Sequence, residues 1–252
     1  MSKKEILVYW TSADKFPYEA MNMDSAYLDL HQRVKNMSEF SDKNESKHIL
    51  KCPVAIQYLR NTFRMKSPLD YDITWNLSEK KFSSNSRGQD FFDENILIRD
   101  MNEGLFSLKL AAHIFFTEEP SLKMEMKNPI YARNEIKYNC SLLEGELDIA
   151  KWFRNIDLVY FVNKPDVKIK INRGDTLAYF KFRSNEKIKL VRFYYSNELR
   201  TLYEHVVNGK IRLGIVNNKI PFIDKMQFIY DTFLQSKYKE KIIKEIKSNL
   251  ME

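Results

Sequence analysis

Cysteine is nearly absent: Cys52 and Cys140 stand far apart and outside any C-x-x-C pair. That excludes a disulfide framework and a cysteine-built structural zinc site, and it fits a reduced, intracellular setting. Glycine is scarce too, and six residues scattered over 252 build neither a Walker loop nor a G-x-G-x-x-G turn. The four histidines, His31, His48, His113 and His205, show no H-x-D, H-x-H or H-E-x-x-H spacing. No metal site and no resident cofactor is therefore expected, and His113 in "KLAAHIFF" reads as a strand residue of the core or an edge. No G-x-S-x-G elbow occurs, and Cys140, between "YN" and "SL", reads as a small buried hydrophobe. Long apolar runs are missing. The start, "MSKKEILVYWTSADKFP", holds an apolar stretch of only about five residues, too short for a signal-peptide core or a membrane span. No secretion signal and no membrane partner are expected.

What is present suits a packed core, with 44% hydrophobic and 13% aromatic residues. The 41 basic and 34 acidic residues leave a formal charge of +7, a mild pull towards anionic ligands. Acids and lysines alternate, as in "SKYKEKIIKEIKSNL", which is the pattern of a solvated helix surface.

Along the chain, "EILVYW" (5–10) reads as a strand, "MDSAYLDLHQRVKNM" as a short amphipathic helix and "SEFSDKNESKH" (38–48) as a polar loop. "CPVAIQYLRNTF" (52–63) puts proline where a first helical turn wants it, with Val54, Tyr58, Leu59 and Phe63 near helical spacing. Short alternating runs then follow: "YDITWNL", "KKFSSNS", "NILIRD", "FSLKLAAHIFF", "LKMEMK", "IKYNCSLL", "IDLVYFVN", "VKIKIN", "TLAYFKF" and "KIKLVRFYY". These predict a mainly β fold with helical additions, an antiparallel barrel or sandwich. Val167, Ile169 and Ile171 should face inward, with Lys168 and Lys170 outward. Ser196 is placed to cap a helix carrying Leu199, Leu202, Tyr203 and Val206. A second helix from about Phe222 to Leu250 carries Phe222, Met226, Ile229, Phe233, Ile242 and Ile246. The expected organisation is an N-terminal strand, loop and short helix over 1–65, a β core over 66–195 and a helical segment over 196–252, in one compact unit.

The chemistry-bearing stretch runs from "GELD" (145–148), through Trp152, Phe153 and Arg154 and a strand ending at Asn163, to "INRGDTLAYFKF" (171–182). That order resembles the dUTPase and dCTP deaminase family, a β-clip fold, over about forty residues. The 11 positions from Asn163 to Gly174 are similar to the family's interval. The resemblance implies Asp148 as the base that activates water, Trp152 or Phe153 against a sugar, and Mg²⁺ with basic groups on the phosphates. The ligand-binding set it implies is Trp152, Phe153, Arg154, Asn163, Asp175 and Tyr179. The chain departs from the family in four places, the first being an aromatic-Arg pair that lies about two residues later. Tyr179 stands where the family has glutamine, "YARNE" with Arg133 and Asn134 replaces the phosphate-binding Arg-Ser, and the C-terminus is helical rather than a glycine-rich arm. The other reading of the same residues is geometric: Gly, Asp and Asn satisfy the corners of a β fold, and Arg173-Gly174-Asp175 is a strand-to-strand turn with Gly174 at positive φ.

A broader stretch, "CPVAIQYLRNTFRMKSPLDYDITW", "HIFFTEEPSLKMEM" and "LDIAKWFR" through "KIKLVRF", resembles a family of T4-like tailed-bacteriophage proteins of no known activity. It implies a phage-type accessory or assembly protein, in host cytoplasm or virion. Two functions stay open: a module that binds a nucleotide or other anionic ligand, a second copy or a phage partner without turnover, and a divergent nucleotide pyrophosphohydrolase. Catalysis needs every part of a phosphate site while a fold needs only its corners, which favours the binding module.

Overall fold

Strand alternation governs the chain, and it is strongest where one face is buried. The computed structural model describes residues 5–12, 27–39, 51–84, 88–109, 113–120, 122–205 and 237–251. The first half runs β1 (Glu5–Ser12), β2 (Tyr27–Asp29), α1 (Leu30–Glu39), α2 (Pro53–Leu59), β3 (Thr62–Lys66), β4 (Tyr71–Asn76), β5 (Lys81–Ser83), α3 (Gly88–Asn95), β6 (Ile96–Asp100) and β7 (Leu105–Leu108). The second half runs β8 (His113–Phe116), β9 (Lys123–Lys127), α4 (Glu135–Asn139), β10 (Cys140–Leu142), β11 (Gly145–Asp148), β12 (Asn155–Ile156), β13 (Val159–Val162), β14 (Val167–Ile171), β15 (Thr176–Phe182) and β16 (Lys187–Arg192). Residues 197–205 and Lys237–Ser248 are helical.

The strands form four sheets, in the orders β12-β8-β1-β16, β10-β13-β7-β6, β11-β9-β15-β3-β2 and β14-β4-β5. Each order is open, so the barrel expectation is corrected: among the described residues no sheet closes on itself. Pairing is antiparallel except between β1 and β16, which run parallel from Glu5 opposite Lys187 to Trp10 opposite Arg192. The N-terminal strand thus lies inside a sheet, between β8 and β16, and supplies Val8 and Trp10 to the main core. Among the described residues no helix is long and apolar enough to cross a membrane.

Two expected strands are divided. "FSLKLAAHIFF" becomes β7 and β8, which sit in different sheets, and "IDLVYFVN" becomes β12 and β13, again in different sheets. A chain that changes sheets between two apolar runs keeps both runs buried, so the sequence shows one continuous pattern. "IKYNCSLL" opens as a helix instead: Asn134 accepts the Lys137 N–H at 3.2 Å, capping α4 before Cys140 begins β10. The helix expected over 52–63 stops at Leu59 because Arg60 turns to an extended conformation, followed by Asn61 at φ 51°, and Phe63 belongs to β3. The helix α3, over "GQDFFDEN", has no counterpart among the expected elements; it buries Phe92, and Gln89 donates to Asp93 four residues on at 2.8 Å.

In β14, Ile169 and Ile171 are fully buried and Lys168 and Lys170 exposed, as the alternation predicts, while Val167 is half-buried. Ser196 caps the helix over 197–205 by accepting the Leu199 N–H at 3.1 Å. That helix and Lys237–Ser248 close a second core on the outer face of the β8–β1 pair, built from Tyr9, Ile114, Phe116, Phe153, Leu199, Leu202, Ile242 and Ile246. Val206, Phe222, Met226, Ile229, Phe233, His48 and most of the 38–48 loop lie outside the described residues.

Candidate functional site

The strand "TFRMK" alternates, so Phe63 and Met65 enter the core while Arg64 and Lys66 share the opposite face. Arg64 stands opposite Tyr179 of β15 and Leu28 of β2. Between Thr176 and Ala178 the β15–β3 register shifts, a bulge that sets the end of the strand apart from a regular ladder. Just before it, the turn over 172–175 is pinned to Ser67, the residue that follows β3. Ser67 N–H donates to Asp175 O at 2.7 Å, and Gly174 N–H, at φ +88°, donates to Ser67 O at 2.9 Å. A third wall, the segment 131–134, is tied on by Asn134 Nδ2, which donates to Thr176 O at 2.7 Å. The helix α1 forms the fourth.

These elements enclose a cavity of about 440 Å³ whose lining includes Arg33, Arg64, Arg133, Asp175, Tyr131 and Tyr179. Its floor is the small apolar cluster of Leu30, Leu59 and Tyr179. Three guanidinium groups and one carboxylate give the lining a net positive charge. The carboxylate is committed locally: Asp175 Oδ2 accepts Asn172 N–H at 2.8 Å. Arg64 Nε is buried and has no hydrogen-bond partner among the described residues. A buried donor without an acceptor costs about 1–3 kcal/mol. Burial, and then the charge of Arg33, hold the Arg64 guanidinium below its ordinary pKa. Burial and the charges of Arg64 and Arg33 likewise lower the neighbouring Lys66. Burial raises the Tyr179 phenol, so it is neutral at physiological pH and able to donate.

A second cleft of about 390 Å³ holds Arg60, Lys181 and Arg183, but its cations are engaged. Lys181 Nζ donates to Gln57 O at 2.6 Å and Tyr58 O at 3.0 Å, and Arg183 pairs with Glu125 and Glu146.

Of the seven residues singled out in the sequence, Asp175 and Tyr179 line the first cavity, as do Arg133 and Asn134 of "YARNE". The other five lie elsewhere. Asp148 accepts the Ala150 N–H at 3.1 Å and sits 3.8 Å from Lys151 Nζ. Arg154 stacks over the Trp152 ring at 5.0 Å. Phe153 is only 1% exposed and meets Phe116 edge-on at 5.5 Å. Asn163 accepts the Ser141 hydroxyl at 2.9 Å, and its N–H donates to Asn139 O at 2.8 Å. Sequence reasoning misses Arg33 and Arg64. The one signal for Arg64 is an arginine between the apolar Phe63 and Met65 of a strand, and Arg33 gives none, because a helix-surface arginine is ordinary. Among the described residues no three His, Cys, Asp or Glu side chains gather as a metal site requires. Comparison with protein-family models, curated proteins and solved structures gave no significant match.

Proposed function

We propose that this protein is a binding module without turnover, whose β core holds an anionic small-molecule ligand in the cavity between α1, β3, the 131–134 segment and the start of β15. The observation that carries the reading is the lining of the cavity of about 440 Å³: the guanidinium groups of Arg33, Arg64 and Arg133 against the single carboxylate of Asp175, with Arg64 held on a rigid strand. Cavities of that size accommodate small ligands, and rigid strands position charged groups better than loops do. Asp148 has a different place in this proposal, as the carboxylate that closes its own turn. The β-clip resemblance enters at one point, since the Gly174-Asp175 turn is a wall of the cavity. The stretches resembling tailed-phage proteins suggest an accessory or assembly setting for the module.

The test is calorimetric titration of the purified chain with a panel of small anions, including citrate and pyrophosphate. At least one should bind saturably at one site per chain, and Arg64→Gln should weaken it by about tenfold, as loss of a charge-assisted contact does. Binding unaffected by Arg64→Gln refutes the assignment of the cavity.

A further inference from the structure

We propose, resting on the reading of this cavity as an anion site, that its ligand carries a dianionic oxyanion group of the phosphate-monoester kind, bridging Arg33 of α1 and Arg64 of β3, with its organic part on Val34 and Tyr131. The number of donors and their origin point to that class. Arg33 and Arg64 come from two separate elements, a helix and a strand, and both line the cavity. A carboxylate has one charge and two oxygens, which a single guanidinium fills in a fork-to-fork contact. A phosphate monoester carries about 1.5–2 negative charges at neutral pH and three acceptor oxygens. It can take two N–H groups of the Arg64 guanidinium and still offer an oxygen to Arg33.

Asp175 sets the orientation. Its carboxylate, the one negative group of the lining, is held by Asn172 N–H at 2.8 Å and Asn172 Nδ2 at 3.4 Å, so an anion is repelled from it towards the arginines. The floor decides between an ester and free phosphate. Around the buried Leu30, Leu59 and Tyr179 the floor continues in half-buried Val34 and in Tyr131, which is 51% exposed, and an organic group laid on these two side chains gains contact that inorganic phosphate cannot make. Bridging also has a mechanical result. Without an anion the two like charges oppose one another; with one, α1 is fastened to the sheet.

The experiment uses the full chain, titrated by calorimetry at one ionic strength with phenyl phosphate, phenyl sulfate, benzoate and inorganic phosphate. Phenyl phosphate should bind about tenfold or more tightly than each of the others, and hydrogen exchange over 30–39 should slow on binding. Phenyl sulfate isolates charge from oxygen count, and inorganic phosphate isolates the organic part. Arg33→Gln, a change on an exposed helix surface that leaves the fold alone, should erase the preference for phenyl phosphate over phenyl sulfate. Arg64→Lys, which keeps the charge, should lose most of the affinity. Equal affinities for all four anions that still depend on Arg64 leave the anion site standing and overturn the monoester inference. Absence of binding by every anion overturns both. Unaltered exchange over 30–39 at saturating phenyl phosphate overturns the bridge to α1.

Discussion

Arg64 and Tyr179 are directly opposed across the antiparallel β3–β15 pair, and both line the cavity of about 440 Å³. One cross-strand pair therefore supplies a charge and part of an apolar floor at the same point. Cross-strand neighbours sit about 4.5–5.5 Å apart at Cβ and share a face, so the pair is fixed by register rather than by flexible side-chain reach.

Arg64 is expected to stabilise nothing by itself. Arg64→Met keeps the length and removes a buried N–H without an acceptor among the described residues, so stability in urea should stay within about 0.5 kcal/mol or rise by about 1 kcal/mol. A loss above about 1.5 kcal/mol shows that the guanidinium holds the fold together.

His113 gives a pH dependence with a defined sign. It is fully buried in β8, edge-on to Trp10 at 5.5 Å, and its pKa is pushed down to about 3 by burial and the charge of Arg192. An unfolded histidine titrates near about 6.5. Above that pH neither state binds the proton and His113 adds no pH dependence. Between about 6.5 and 3 the unfolded chain binds it and the folded chain does not, so stability falls as pH falls, by up to about 1.4 kcal/mol per unit. His113→Gln removes this component. Urea unfolding of both chains at several pH values should show the wild type losing stability faster on acidification, and parallel curves contradict a histidine held neutral by burial.

Two glycines at positive φ separate strain from crowding. Gly174 has φ +88° with open space where a side-chain methyl would stand, whereas Gly104, at φ +63°, sets such a methyl 3.2 Å from the Trp75 ring. Gly174→Ala should cost about 1–2 kcal/mol from backbone strain alone. Gly104→Ala should cost more and alter Trp75 fluorescence, because the ring is 2% exposed and packed against Phe82 at 4.5 Å. Equal costs with unchanged fluorescence would show that Trp75 yields freely.

Asp148 tests the hydrolase reading. With Mg²⁺ and nucleoside triphosphates, the purified chain should release no pyrophosphate. Asp148→Ala should lower stability by about 1 kcal/mol and Asp148→Asn by less, since the amide oxygen still accepts the Ala150 N–H. Asp148-dependent pyrophosphate release restores the enzyme.

Strand existence was legible in the sequence because period-two alternation and burial arise from one cause, as "VKIKI" and "YDITWN" show. Sheet membership was not. Neither the parallel entry of β1 beside β16 nor the change of sheet between β12 and β13 leaves a local pattern, since both depend on partners far along the chain. The site divided along the same line. Gly174, Asp175 and Tyr179 lie in one quotable segment, while Arg33 and Arg64 reach the cavity only through the β2–β3–β15 pairing and the packing of α1.

The most direct test of the anion site is the Arg64 Nε–H resonance of ¹⁵N-labelled protein, followed by NMR while phenyl phosphate is added. Arg64 should show a saturable shift and slowed exchange of its Nε–H with water, accompanied by changes at Arg33 and Tyr179 and unchanged signals from Arg154 and Arg183. An Arg64 resonance that stays fixed to the end of the titration, or that drifts linearly together with every surface arginine, contradicts an anion held by this guanidinium.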